Sequence, residues 1–169
     1  MDGNIHITTS VELQEKAIKA TATFLERGGD EILDAAWESD AGRIDVVSRD
    51  ANGVIRFVFV RVDRGFLPKM VEMTDRIRQC MEVRAVMWLR DHRDAADCML
   101  AFDIVDLGVI GSDRAIMRVH RNALGDACPF TGGDLLARSE MRAASIPDDA
   151  VKVDACDDVD SSSDEDSDE

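Results

Sequence analysis

The chain has 169 residues, one domain's worth of length, and its 45% hydrophobic content can build a packed core, which excludes wholesale disorder. The net charge of −15 disfavours a strongly basic nucleic-acid binder, and it is lopsided: from Asp148 to Glu169 eleven acids meet one base, Lys152. The absence of any run of 18 apolar residues, and of a basic-then-apolar stretch in MDGNIHITTS, predicts neither membrane span nor signal peptide, and hence a cytoplasmic protein with no membrane partner.

The first element is a helix. Thr9 and Glu12 form a T-x-x-E capping box, and Leu13, Ala17, Ala20 and Phe24 follow at helical spacing, with Ile18, Ala22 and Leu25 beside them. Gly28-Gly29 ends it. Glu31–Trp37 reads as a strand, and Arg43–Arg49 as a second. Asp50-Ala51-Asn52-Gly53 is a hairpin signal, leading into a third strand over Val54–Asp63. Both faces of that strand are largely apolar, so it should be central and covered on both sides.

Pro68 suits the first turn of a helix, and the pattern continues to about Arg90 with Met70, Met73, Ile77, Cys80/Met81 and Trp88 on one side, read as core filling. Lys69, Arg76, Arg78, Arg84 and Arg90 read as its solvated face. Cys98–Leu107 and Ala115–Arg121 are two more strands, with Gly108–Asp113 as the turn between them. Asp134–Ala144 is a short helix. The order implies an α/β fold, a mixed central sheet flanked by helices, with a domain over 9–124, a C-terminal extension over 125–146 and a disordered acidic tail over 147–169. Cys80, Cys98, Cys128 and Cys156 form no C-x-x-C pair, so a zinc site has no support and reduced thiols are the plain reading.

Three stretches in order carry a family resemblance. They are Ala20-x-x-x-Phe24-Leu25-x-x-x-Gly29 leading to Gly42-Arg43-Ile44-Asp45-Val46-Val47, then Val58-Phe59-Val60-Arg61-Val62-Asp63-Arg64, then Phe102-Asp103-Ile104-Val105 followed by His120-Arg121-Asn122-Ala123-Leu124. Over about residues 12–124 the chain resembles the YraN-like family of bacterial proteins, of the restriction-endonuclease-like (PD-(D/E)XK nuclease) superfamily. The family pattern reads roughly G-E-I-D-L-I, V-F-V-E-V-K-x-R and R-F-D-V-V. The resemblance implies that the Asp and Glu hold Mg²⁺ or Mn²⁺ and the Lys assists the attacking water, an oxygen-rich site that stabilises charge on a phosphodiester.

Carried over residue by residue, the Asp is Asp45, the Glu position holds Arg61 and the Lys position holds Asp63. The acid nearest the family's first-helix Glu is Glu15. The fold signature therefore persists while the catalytic signature is broken: Arg61 cannot ligate a metal and its charge opposes one. Two readings follow. In one, Arg61 pairs with Asp45, no cofactor is held, and the chain is a degenerate nuclease that binds DNA or a DNA-processing protein. In the other, Asp45, Asp63 and Glu15 rebuild a Mg²⁺ or Mn²⁺ site and the chain is a rearranged nuclease. A two-residue Asn52-Gly53 turn would set Asp45 opposite Val60, so a direct Arg61 pairing needs one extra turn residue. Among the remaining polar residues, Asp103 could pair with Arg121 and His120 reads as structural.

Overall fold

The computed structural model describes residues 10–70, 72–111, 114–125 and 130–144. The expected cap Thr9, Cys128, Cys156 and the acidic tail lie outside them. A helix α1 (Ser10–Arg27) leads into an antiparallel meander of β1 (Glu31–Ser39), β2 (Gly42–Arg49) and β3 (Ile55–Arg64). A crossover through α2 (Asp75–Asp91) and a short 3-10 turn (Arg93–Ala95) returns the chain to β4 (Leu100–Ile110), parallel to β3. β5 (Arg114–His120) pairs antiparallel with β4, and α3 (Gly132–Ala144) follows. The strands lie in the order β1-β2-β3-β4-β5 in one mixed sheet, so the expected α/β class with a mixed central sheet holds.

The sheet has a core on each face. On one, Phe57, Phe102 and Ile104 pack against Met81, Trp88 and Leu89 of α2 and Leu135 and Leu136 of α3. Phe57 meets Trp88 edge-on at 5.6 Å between ring centroids. On the other, Val46, Val58, Val60, Val105 and Leu107 pack against Ala17, Ile18 and Leu25 of α1. β3 is therefore covered on both sides, as its two apolar faces require. The C-terminal stretch that the sequence sets apart as an extension places its helix in the same core as Trp88.

Four local expectations are corrected. First, α1 buries Ala17, Ile18, Thr21 and Leu25, whereas Ala20 and Phe24 are exposed: the inward stripe is rotated from the one through Leu13 and Phe24. Second, α2 starts at Asp75, capped by the Thr74 hydroxyl, which accepts the Ile77 N–H at 3.3 Å, and Pro68 sits in a preceding loop. Third, Gly108 is inside β4 and not in a turn. A Cβ there would lie 2.7 Å from the Phe66 carbonyl carbon, so the loop after β3 crosses the sheet where a side chain is missing. Fourth, Cys80 is disulfide-bonded, against four reduced thiols, while Cys98 is free. Among the described residues no helix is long and apolar enough to cross a membrane.

Candidate functional site

The β2–β3 hairpin closes through three residues, Ala51-Asn52-Gly53. Asp50 N–H bonds Val54 C=O at 3.0 Å, and Gly53 takes the left-handed φ of +80° that such a loop needs at its end. This one extra residue puts Val46 opposite Val58 and Arg49 opposite Ile55. The ladder stops at Val46. Beyond it β2 breaks its alternation, since Ile44 and Val47, three apart, enter the same core. The side chain of Asp45, 6% exposed, fills the opening.

There Asp45 does the work of a missing strand carbonyl. Its Oδ2 accepts the Val60 N–H at 2.7 Å. Gln14 of α1 donates to the Val60 C=O, also at 2.7 Å, so side chains satisfy both main-chain groups of that residue. The other carboxylate oxygen takes the Arg43 Nε–H at 2.9 Å. Burial raises the Asp45 pKa, and the Val60 N–H, Arg43 and Gln14 offset that only in part. Level with Asp45 on β1, between the pairs Ala35–Val46 and Trp37–Ile44, Ala36 has a φ of +53°, a strained value for a residue with a Cβ.

A cleft of about 450 Å³ opens beside this corner, lined by Gln14, Glu38, Arg43, Asp45 and Arg84 among others. Arg84 is not a solvated residue, as its helix position suggests. It donates to the carbonyls of Ala41 (3.1 Å) and Arg43 (3.3 Å) and clamps the β1–β2 turn. Gly42 turns the chain at a φ of +108°, a conformation that favours glycine, and a Cβ there would also crowd that guanidinium at 2.7 Å.

The expected ion pair between Asp45 and Arg61 is not formed. Arg61 lies opposite Asp106 across the parallel β3–β4 ladder, and its Nε–H donates to Asp106 Oδ1 at 2.8 Å. Asp106 is fully buried and also accepts from Arg118 Nη2 at 2.7 Å, with His120 Nε2 3.0 Å away. Arg61 is thereby committed to the β4–β5 side of the sheet, away from Asp45. Asp63 is exposed, its carboxylate accepting the N–H of Arg64, and Glu15 is exposed on α1.

Asp45, Asp63 and Glu15 are therefore not gathered. Among the described residues no group of three or more His, Cys, Asp or Glu side chains is placed to hold a metal ion. With its oxygens taken by an N–H and a guanidinium, Asp45 alone does not fit a divalent cation. Asp103 is buried too, on β4, and does accept from Arg121 (3.0 Å), with Arg56 (3.2 Å) and the Asn122 N–H (2.8 Å).

Three participants escaped the sequence reading: Gln14, Arg84 and Asp106. The signal for Gln14 was its spacing. Positions 14, 17, 18, 21 and 25 share one helix face, and Glu15 does not lie on it.

No protein-family model matches the chain. A UPF0102 protein of Trichlorobacter lovleyi is 29% identical over 90 residues, which span 52% of this chain and 69% of that relative. A UPF0102 protein of Renibacterium salmoninarum is 33% identical over 85 residues, 50% of this chain and 72% of the relative. The chain belongs to the UPF0102 family, the YraN family.

Proposed function

We propose that this UPF0102 protein is a catalytically degenerate member of a restriction-endonuclease-like lineage, acting in the cytoplasm as a binding module for nucleic acid or for a protein of the DNA-processing machinery. One observation carries the reading: Asp45, the acid that matches the family's metal ligand, spends its two oxygens on the Val60 N–H and on Arg43. Arg43 stands where the family pattern has Glu, so a second acid has become the cation that neutralises the first. Arg61, in place of the other expected Glu, is spent on Asp106.

A rearranged nuclease is the second reading. It draws on the raised pKa of Asp45 and the strained Ala36 beside it, because costs of this kind concentrate at working sites. Thermal melts with Mg²⁺ and Mn²⁺ on the wild type and on Asp45→Asn separate the two. A degenerate protein melts at the same temperature with or without metal at about 5 mM, and leaves single-stranded and branched DNA intact. A site that binds ten-fold below the metal concentration would add roughly 1.4 kcal/mol, a rise of a few degrees, absent in Asp45→Asn. That rise, with DNA cleavage, overturns the proposal.

A further inference from the structure

At the far end of β3, β4 and β5 the sheet face on the α2 side carries a second, unassigned surface. Arg61 and Arg118 meet over the single buried charge of Asp106, leaving an excess of positive charge. Both arginines are partly exposed, with side chains 26% and 34% accessible. The loop Gly65–Met70 lies across the same face. Its backbone passes over Gly108, and Pro68 C=O accepts from Arg118 Nη2 at 2.7 Å. It presents Phe66, 87% exposed, and Met70, 72% exposed, beside the exposed Lys69. Within this surface three cations, Arg61, Arg118 and Lys69, face one acid, Asp106; the exposed acids nearest in sequence are Asp63, Glu72 and Asp75, with Arg76 beside the last.

The chain itself is aimed at this surface. The start of α3 abuts α2 near its end: a Cβ on Gly132 would lie 2.8 Å from Ala95 C=O and 3.1 Å from Leu89. Ten residues later, Arg142 reaches Glu82, 3.5 Å away and closer to the start of α2. α3 therefore runs antiparallel to α2 and releases the chain toward the α2 N-terminus, where the Gly65–Met70 loop leads in. From Glu82 to Asp75 is roughly 10 Å of helix, and the 25 residues after Ala144 can span up to about 80 Å. They include the eleven acids and single base of 148–169.

We propose that the surface made by Arg61, Arg118 and the Gly65–Met70 loop is the docking site of this chain's own acidic C-terminal segment, residues 148–169. The arginines and Lys69 meet the carboxylates, and Phe66 and Met70 meet the valines at 151, 153 and 159. The inference is independent of whether the Asp45 cleft is catalytic.

Carbodiimide coupling of the full chain, mapped by mass spectrometry, tests it. The sequence has four lysines: Lys69 in the loop, Lys16 and Lys19 on α1 across the sheet, and Lys152 in the segment itself. Monomeric protein should yield links from Lys69 to carboxylates among Asp157–Glu169, several-fold more abundant in about 20 mM salt than in about 500 mM. Equal coupling to Lys16 or Lys19 overturns the proposal. So does a Lys69 link confined to cross-linked dimers, or no link to Lys69 while an N-hydroxysuccinimide ester still acylates it.

Discussion

Asp45 and Asp106 are the same residue type, both buried, on strands that flank β3, yet the fold treats them differently. Asp106 is met by two guanidiniums and an imidazole, all from strands, and is a hub of ion pairing. Asp45 is met by one guanidinium, one main-chain N–H and an amide, and burial still raises its pKa. The difference teaches which carboxylate serves the fold. Removing a hub should cost stability, whereas removing a charge held at a cost should return some.

The largest effect should come from Arg61→Glu/Asp63→Lys, which restores the family's Glu-x-Lys. It sets a carboxylate against Asp106, which has no access to water. Breaking a buried pair in this way costs roughly 3–5 kcal/mol, about 10 °C in melting temperature. A variant that folds normally and gains metal-dependent stability would sink the hub description.

Asp106→Ala should come next, at roughly 2–3 kcal/mol by urea unfolding, because the arginines it strands are partly exposed and can hydrate. Gly108→Val probes the same corner. The new side chain meets the Phe66 main chain, and about 1–3 kcal/mol should be lost as the loop shifts. An unchanged melt would mean that the loop does not rest on β4.

How far this contrast was legible in the sequence depends on where each partner lies. The first hairpin was, because Gly28-Gly29 and Asp50–Gly53 punctuate it on either side. The two-sided burial of β3 was visible in Phe57 and Phe59 alternating with Val58 and Val60. The start of α2 was not: Pro68 is a good first-turn residue, but its carbonyl is held by Arg118, fifty positions away. Asp106 was missed for the same reason. Its pairing with Arg61 depends on the register of a parallel crossover, which no local pattern encodes. Asp45 was found, through the family resemblance, but its partner Val60 N–H depends on a ladder that ends early. Local chemistry was readable, and so was the Asp103–Arg121 pair between neighbouring strands, but the partners of Asp45, Arg61 and Asp106 were not.

The smallest effects lie at Asp45 and at Asp50 in the β2–β3 turn, and should run in opposite directions with pH. Asp45→Asn should raise stability at neutral pH, by about 0.5–1 kcal/mol, since the amide oxygen can still accept the Val60 N–H while no charge is buried. The folded-state pKa of Asp45 is raised, so protonation favours the fold. The wild type is relieved of the cost below the ordinary carboxylate range, and the advantage of Asp45→Asn should vanish there and grow as pH rises through the folded pKa. Asp50 is the counter-case. Burial pulls its pKa up, but the Val54 N–H, Arg56 and the Asn52 N–H more than offset this and hold it below the ordinary value. Its stabilisation is therefore full above the ordinary carboxylate range and lost as pH falls through the folded pKa. Asp50→Asn should cost about 0.5–1 kcal/mol at pH 7 and little in strong acid. Melts of the two variants across pH 2–7 should converge on the wild type from opposite sides. If Asp45→Asn is instead destabilising at neutral pH, the ionised carboxylate is an asset to the fold, and the contrast with Asp106 is gone.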